Sequence, residues 1–177
     1  MVISAPADNG AVTALIGVND DRFDGSAKIT SNASCTTNSV APIVKILEEA
    51  FGIEKAVMTT VHGYTATQRL VDGPSEKDVR RGRAAAVNIV PSSTGAAKAV
   101  IQSVPELEGK FDAVAIRVPV ITGSLSVTSA LLRRETNPEE VNTLFQKAAQ
   151  TARWGKILKV TNDPLVSTDI IGEPYGA

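Results

Sequence analysis

The sequence predicts a fold of mixed α and β structure, because amphipathic helical stripes alternate with short strand-like runs along its 177 residues. Hydrophobic residues make up 43% of the chain and charged residues 21%, which is the ordinary mixture of a globular protein. A chain of this length can bury enough apolar surface to fold as one domain. We therefore expect an α/β protein with one main hydrophobic core.

Short apolar runs that are rich in β-branched residues predict the strands. The chain opens on one such run at residues 2–3, and others follow at residues 14–18, 56–62, 113–118 and 125–131. In the last run, apolar residues alternate with small and polar ones. This alternation predicts a strand with one small or polar face.

The first helix is predicted to follow Ser34. Its apolar residues recur at helical spacing and form a stripe that faces the core: Val40, Ile43, Val44, Leu47 and Phe51. Pro42 lies inside this stretch. Because proline has no backbone N–H, we expect it to kink the helix.

Two further helices are predicted in the second half of the chain. One should begin near Thr94 and end before Pro105. The other has a clear start, because Asn137 can cap a helix, Pro138 suits its first position and two glutamates follow. The apolar stripe of this last helix comprises Val141, Leu144, Phe145, Ala148 and Ala152.

Residues 68–88 are long, polar and arginine-rich, without sustained periodicity, and this pattern predicts an extended loop. Loops of that length inside a compact domain are usually functional. We expect its arginines, Arg80, Arg81 and Arg83, on a solvated face or in an ion-pair cluster between subunits.

Charge and composition exclude several classes of function. The 18 basic residues are balanced by 19 acidic ones, which argues against a broad nucleic-acid-binding surface. No apolar run approaches the length that a bilayer requires, and the first ten residues show no secretory pattern. One cysteine and one histidine cannot supply an internal disulfide or the usual zinc site. We expect a cytoplasmic, metal-free domain.

The single cysteine, Cys35, is the strongest candidate for chemistry. It lies at the predicted start of the first helix, where the helix dipole stabilises a thiolate, and its neighbours are polar. The helix end supplies up to about 2 kcal/mol, whereas lowering a thiol pKa by two units requires about 2.7 kcal/mol. A second partner is therefore needed. The alternative is a buried structural cysteine.

The single histidine, His62, is the candidate partner. It ends the most apolar predicted strand, and the length of chain after Cys35 suits a helix, a turn and a returning strand. A cysteine and a histidine that meet in this way are typical of a nucleophile and its base. The alternative is a structural histidine.

Two further features indicate an anion site. In residues 91–98, hydroxyls and a glycine precede a helix, so backbone N–H groups could approach a phosphate. Plain capping of the helix by Ser93 or Thr94 is the alternative. Arg117 lies in an otherwise apolar strand, and a buried arginine needs an anionic partner. An exposed position on an edge strand is the alternative.

Cys35 lies in SNASCTTN and His62 in TTVHGYTATQRLVDGP, and RRGRAAAVNIVPSSTGAAKAV and PELEGKFDAVAIRVPV follow. These segments closely resemble the phosphorylating glyceraldehyde-3-phosphate dehydrogenases, SNASCTTN is a very specific motif, and the similarity runs almost continuously from Val2 to Gly172. The resemblance implies that Cys35 is the nucleophile and that His62 is the base that activates it.

The resemblance also implies the ligand sites. The site for inorganic phosphate would comprise Ser34, Thr36, Thr94 and Gly95. The site for the substrate phosphate would comprise Thr65 and Thr67, and Arg117 would lie between the two sites. Ser4, at the end of the first strand, would lie near the nicotinamide.

The implied fold is an α+β catalytic domain over residues 35–177, with a mixed, largely antiparallel sheet and helices packed on one face. Residues 1–34 would be the last strands of a Rossmann-type nucleotide-binding domain. The implied activity converts glyceraldehyde 3-phosphate and inorganic phosphate to 1,3-bisphosphoglycerate with NAD. It would belong to a homotetramer in which the 68–88 loop lines the neighbouring subunit's cofactor site. Gly73-Pro74 in that loop favours NAD over NADP.

The sequence departs from the family pattern in three ways. Ser39 stands where many relatives have a second cysteine, no G-x-G-x-x-G occurs, and the family's asparagine for the nicotinamide carboxamide is missing. We therefore expect a fragment that is inactive alone as a dehydrogenase. Four alternatives to a phosphorylating dehydrogenase stay open. Two are other dehydrogenases, one that acts on erythrose 4-phosphate and one that is non-phosphorylating. The others are a thiol hydrolase and a fragment that is catalytically incomplete.

Overall fold

A small parallel sheet forms the start of the chain. The computed structural model describes residues 1–8, 10–76 and 78–176. Strands β1 (Val2–Ile3) and β2 (Val12–Thr13) each pair in parallel with β3 (Thr30–Ser31), which lies between them. Because β3 is followed within a few residues by the first helix, this sheet brings the chain to Cys35.

A larger, mixed sheet follows, with the strand order β5-β6-β4-β7. Its strands are β4 (Ile53–Gly63), β5 (Val90–Ser92), β6 (Phe111–Val118) and β7 (Ser124–Leu132). β4 and β6 pair in parallel, whereas β7 and β5 pair antiparallel with them on the two outer sides. The strands predicted at residues 56–62, 113–118 and 125–131 are confirmed, and so is a mixed sheet with antiparallel outer strands.

Helices α1 (Cys35–Phe51), α2 (Ala96–Ser103) and α3 (Pro138–Ala149) confirm the three predicted helices. Their apolar residues pack with buried residues of β4 and β6 in one core cluster, in which Val44, Met58 and Val100 are fully buried. α1 continues through Pro42. In the part of the chain that the structure describes, no helix is long and apolar enough to cross a membrane.

The opposite face of the large sheet is apolar and exposed. The core lies on one face only, because successive side chains of a strand point to opposite sides. On the other face, five apolar side chains are 48–62% exposed: Val57, Val114, Leu125, Val127 and Leu131. Ser126, Thr128 and Ala130 of β7 alternate with these and face the core side, whereas Ser129 lies on the exposed face.

The strand predicted at residues 14–18 is wrong. The backbone there forms a tight turn, in which the N–H groups of Val18 and Asn19 donate to the carbonyl oxygen of Leu15. The side chain of Asn19 in turn accepts the N–H of Leu15 at 2.8 Å. Leu15 and Val18 are nevertheless buried. Their apolar character therefore reflects packing of a turn against the core and not a strand.

Three element boundaries differ from the predicted ones. α2 begins at Ala96, and the hydroxyl of Thr94 accepts the N–H of that residue. α3 ends before Ala152, the last predicted member of its stripe. The predicted loop at residues 68–88 contains two short 3-10 helices, Val79–Gly82 and Ala85–Val87.

The cap of α1 gives a stability prediction. The Oγ of Ser34 accepts the N–H of Thr37 at 3.1 Å, so it satisfies a donor that the helix leaves unpaired. We expect Ser34→Ala to lower the free energy of unfolding by about 1 kcal/mol, whereas Ser34→Thr should largely retain the cap. Urea unfolding followed by circular dichroism measures both, and equal stabilities for the alanine and threonine variants would contradict the capping role.

Candidate active site

Cys35 is the first residue of α1, and its side chain is exposed. The chain reaches it through Ala33, a buried residue with a φ of 55°. This is the left-handed region, which an alanine adopts only at a cost in strain, and such residues concentrate at functional sites. The side-chain amide of Asn38 donates to the carbonyl oxygens of Asn32 and Ser34, which holds this segment in place.

Cys35 and His62 meet, as the sequence predicts. His62 is the next-to-last residue of β4, and its Nε2 lies 3.4 Å from the Sγ of Cys35. The hydrogen bond from His62 is the main reason that the pKa of Cys35 falls to about 7, and burial opposes the fall. The same hydrogen bond raises the pKa of His62. The two shifts favour a thiolate beside an imidazolium.

The other ring nitrogen of His62 contacts two groups. Nδ1 lies 2.7 Å from the carbonyl oxygen of Gly63 and 2.6 Å from the Nη1 of Arg117. Arg117 is the direct neighbour of His62 in the β4–β6 pairing, so both side chains leave the same face of the sheet. Arg117 thus lies on a central strand and is half-buried, which excludes the exposed edge position.

Arg81 is a site residue that the sequence analysis did not single out. Its guanidinium donates to the hydroxyls of Ser92 and Thr67 and to the carbonyl oxygen of Ser93. Thr67 Oγ1 lies 3.1 Å from that of Thr65. Arg81 therefore connects the segment predicted to bind the substrate phosphate with the segment before α2.

The position of Arg81 depends on a close approach of two glycines. The N–H of Gly73 donates to the carbonyl oxygen of Gly82 at 2.8 Å. A Cβ on Gly82 would lie only 2.2 Å from the carbonyl oxygen of Gly73, so a side chain there would open the loop. In the sequence, only the glycine directly after Arg81 indicates that this arginine is held in a fixed position.

Arg81 and Arg117 differ from the neighbouring arginines in their salt bridges. Among the residues that the structure describes, neither forms a salt bridge, whereas Arg80 pairs with Asp78 and Arg83 with Asp72. Burial and then the charge of Arg81 lower the pKa of Arg117. Two half-buried cations that form no salt bridge in the described residues attract an anion. The prediction of a solvated face holds for the exposed Arg80 and Arg83 and is wrong for Arg81.

The residues predicted for inorganic phosphate differ in how accessible they are. Gly95 is exposed and Thr94 half-buried, and the hydroxyl of Thr94 already accepts the N–H of Ala96. Ser34 is half-buried and caps α1. Thr36 is buried, and hydrogen bonds from its N–H and its hydroxyl help to lower the pKa of the Cys35 thiol. The hydroxyl of Thr94 thus satisfies an N–H at the start of α2, as the capping alternative expected, although the N-cap residue itself is Gly95.

Ser4 follows the end of β1 and is exposed. In the described residues it forms no hydrogen bond with Cys35 or His62. A groove of about 500 Å³ does open beside Cys35, and its lining includes Leu15, Ile16, Asn32, Asn38 and Pro42. The described part of the chain brings together no group of three or more metal-ligating side chains of His, Cys, Asp or Glu.

Comparison with known proteins gives a consistent result. The family model described as "Glyceraldehyde 3-phosphate dehydrogenase, C-terminal domain" matches residues 34–177. Curated relatives named glyceraldehyde-3-phosphate dehydrogenase from Mycobacterium avium and Mycobacterium leprae are each 51% identical to all 177 residues, which correspond to 52% of each relative. A relative named glyceraldehyde-3-phosphate dehydrogenase 2, from Streptomyces avermitilis, is 50% identical over 98% of the chain and 52% of the relative. The chain spans about half the length of these relatives.

The contact between Cys35 and His62 predicts how thiol labelling depends on pH. With a thiol pKa of about 7, the rate of iodoacetamide labelling should reach half its plateau near pH 7. In His62→Asn the hydrogen bond and the imidazolium charge are lost, so the midpoint should rise towards about 8.5. Because the chain has one cysteine, mass spectrometry reports this thiol alone.

Ser39→Ala is the matched control for this experiment. The hydroxyl of Ser39 donates to the carbonyl oxygen of Thr36 and not to the thiol, so its removal should leave the midpoint unchanged. Identical pH profiles for the wild type and His62→Asn would show that the two side chains do not form an ion pair.

Proposed function

The chain belongs to the glyceraldehyde 3-phosphate dehydrogenase family, and from this premise we propose that it is the catalytic part of a phosphorylating dehydrogenase. The substrate would be glyceraldehyde 3-phosphate, the cofactor NAD and the product 1,3-bisphosphoglycerate. One observation carries the proposal: a cysteine–histidine pair at 3.4 Å lies beside two arginines that have no acidic partner in the described residues. A thiol hydrolase would leave those arginines without a role.

The chemistry follows from the positions of the two side chains. The thiolate of Cys35 forms a bond to the aldehyde carbon, and His62 gives the proton on Nε2 to the carbonyl oxygen. His62 then takes the hydroxyl proton back as a hydride leaves the same carbon, which produces a thioester. NAD, when bound, accepts that hydride. A phosphate oxygen next attacks the thioester carbon, the sulfur leaves as thiolate, and an acyl phosphate is released.

The arginines divide the anions between two sites. We assign the substrate phosphate to Thr65, Thr67 and Arg81, which already contact one another. We assign inorganic phosphate to the segment at Thr94 and Gly95, with Arg117 between the two sites. The hydroxyl of Ser34 is engaged in capping and Thr36 is buried, so their contribution should be smaller than the resemblance implies.

The side chains that line the groove beside Cys35 fit the nicotinamide end of NAD. The groove beside Cys35 is lined by apolar Leu15 and Ile16 and by the amides of Asn32 and Asn38, which suits a flat ring that carries a carboxamide. Ser4 lies at the end of β1 in the small parallel sheet. We propose that residues 1–34 are the end of a nucleotide-binding domain and residues 35–177 the catalytic domain, and that the enzyme acts in the cytoplasm.

We also propose that the chain forms a homo-oligomer through the exposed face of the large sheet. In β7, apolar residues point away from the core while the hydroxyl of Ser126 is buried and lacks a hydrogen-bond partner in the described residues. In a solvated strand the polar side chains face water and the apolar side chains face the core, which is the opposite arrangement. An apolar face of this kind is typical of a surface that another subunit covers.

Acylation by acetyl phosphate tests the phosphate sites without a cofactor. Transfer of the acetyl group to Cys35 is the reverse of the final step, and mass spectrometry detects the thioester. We expect Arg117→Gln to slow it by about 10- to 100-fold, because a hydrogen bond to a charged group contributes about 1.5–3 kcal/mol. Arg81→Gln should slow it less, because Arg81 is assigned to the substrate phosphate, which acetyl phosphate lacks. Cys35→Ser should not form a thioester.

Two controls make the acylation test specific. Arg83→Gln changes an exposed arginine that pairs with Asp72, and its rate should equal that of the wild type. p-Nitrophenyl acetate carries no phosphate, so its rate of acylation reports any change in the thiol itself, and transfer from acetyl phosphate is compared with it for each variant. Undiminished transfer from acetyl phosphate in Arg117→Gln would reject the role of Arg117 in the inorganic phosphate site.

The complete reaction can be tested in a chimaera in which this chain replaces the matching half of the Mycobacterium avium relative. NADH formation from glyceraldehyde 3-phosphate should require inorganic phosphate and Cys35, whereas the 177-residue chain alone should form none. NADH formation that ignores phosphate would favour a non-phosphorylating relative. A preference for erythrose 4-phosphate would favour the other alternative dehydrogenase.

Sedimentation velocity tests the oligomer. The wild-type chain should sediment as a dimer or larger, and Val114→Asp and Val127→Asp should each shift it to a smaller species, because a charge would be buried in the interface. Val160→Asp is the matched control, since Val160 is a partly exposed valine outside the sheet. A wild-type chain that is monomeric at all concentrations would contradict this use of the face.

A further inference from the structure

The groove beside Cys35 has two walls that come from distant parts of the chain. One wall is the turn that contains Leu15 and Ile16, and the other is the segment 173–176, while α1 contributes Cys35 itself. Neither wall is part of a helix or of a long strand. The shape of the groove therefore depends on the contacts that hold the two walls in place.

The first wall is held at both backbone groups of Gly17. Its N–H donates to the Oδ1 of Asp20 at 2.9 Å, and its carbonyl oxygen accepts the Nε–H of Arg153 at 2.6 Å, from 136 residues along the chain. Gly17 has a φ of 78°, and a Cβ there would lie 3.2 Å from the carbonyl oxygen of Arg153. Ile16, which is 70% exposed, directly precedes Gly17, so these two hydrogen bonds set its place in the groove.

Arg153 is itself fixed in position. Its Nη1 donates to both carboxylate oxygens of Glu49, at 3.1 and 3.2 Å, in the last turn of α1. Its guanidinium also lies 4.4 Å from the centroid of the Trp154 ring, and Trp154 is buried. Charge-assisted hydrogen bonds and a cation–π contact restrain the side chain together. Arg153 thus ties the turn at Gly17 to the helix that begins at Cys35.

The second wall is held by the residues that follow Arg153. The carbonyl oxygen of Ile157 accepts the N–H of Gly176 at 3.1 Å, and the N–H of Lys159 donates to the carbonyl oxygen of Gly176 at 2.8 Å. A Cβ on Gly17 would also lie only 3.0 Å from the Cδ1 of Ile157. The segment 153–159 therefore contacts both walls of the groove.

We propose that Arg153 is a positioning residue for the proposed cofactor. It fixes the turn at Gly17 relative to α1, and with it the space between Ile16 and the thiol in which a flat ring binds. The inference rests on the proposed function, since that function supplies the nicotinamide ring. Arg153 does not line the groove, and in the described residues it forms no hydrogen bond with Cys35. Its loss should therefore weaken binding of a ring and leave the reactivity of the thiol unchanged.

Two reagents that differ by one flat ring test this inference. Iodoacetamide and its N-phenyl derivative, iodoacetanilide, react with a thiolate in the same way: a bond forms from sulfur to the methylene carbon and iodide leaves. Mass spectrometry of the 177-residue chain follows both reactions at its single cysteine. In the wild type the anilide should react faster than iodoacetamide, and its rate should saturate as the ring occupies the groove. The concentration dependence separates binding of the ring from the alkylation step.

In Arg153→Met, half-saturation should require about 5- to 10-fold more anilide, because one hydrogen bond that holds the turn is lost. The rate at saturation and the pH profile with iodoacetamide should stay as in the wild type. Asp20→Ala should weaken anilide binding in the same direction, whereas Asp20→Asn keeps an acceptor for Gly17 and should restore it. If Arg153→Met does not fold, Glu49→Gln decides the question, since it weakens the anchor of Arg153 and should give a smaller shift of the same sign.

Arg134→Met is the matched control. Arg134 forms a salt bridge with Glu140 at 2.8 Å and lies 4.6 Å from the centroid of the Phe51 ring, so this variant loses the same kinds of contact outside the groove. Its free energy of unfolding in urea should fall, as that of Arg153→Met should. Its binding of the anilide should equal that of the wild type, which separates positioning of the groove from a general loss of stability.

Three results would overturn the inference: unchanged anilide binding in Arg153→Met, an equal loss of binding in Arg134→Met, or a wild-type chain in which the anilide has no advantage over iodoacetamide. The test uses no NAD, aldehyde or phosphate, so it is separate from the test of the proposed function. A chimaera that forms NADH while anilide binding ignores Arg153 would reject the positioning role alone. Anilide binding that depends on Arg153, in a chain whose chimaera forms no NADH, would reject the proposed function alone.

Discussion

Because β4 and β6 run in parallel, their carboxyl ends meet at one edge of the sheet, and His62 lies directly beside Arg117. α1 begins at that same edge, and the Sγ of its first residue, Cys35, contacts the Nε2 of His62. A slip of one residue in this pairing would turn one of the two strand residues to the exposed face of the sheet. The register of two strands therefore places His62 beside Arg117, and the proposed anion sites surround this pair.

The electrostatics of this edge differ from those of the whole chain, whose formal net charge is −1. Arg81 and Arg117 are half-buried without salt bridges in the described residues, which costs stability in the absence of an anion. The charge of Arg117 opposes the rise in the pKa of His62 that the hydrogen bond from Cys35 causes. An anion bound between the two arginines would offset this cost.

Features with a local physical cause could be predicted from the sequence. The start of α3 follows from the cap at Asn137, and the candidate nucleophile follows from a cysteine with polar neighbours at a helix start. Residues 14–18 could not be assigned correctly, because apolar composition does not distinguish a strand from a buried turn. Arg81 could not be separated from Arg80 and Arg83, since its place depends on the approach of Gly73 to Gly82 across the loop. The roles of the predicted phosphate residues remain predictions.

The strained segment before Cys35 shows how stability and reactivity are balanced. Ala33 holds a left-handed conformation that costs on the order of 1 kcal/mol or more. Asn38 offsets this cost with hydrogen bonds to two carbonyl oxygens, and it comes from the first turn of the helix that the strain precedes. The sharp entry lets α1 begin at Cys35, so the thiol lies at the positive end of the helix dipole and within reach of His62. A relaxed entry would start the helix elsewhere and separate the thiol of Cys35 from both the helix dipole and His62.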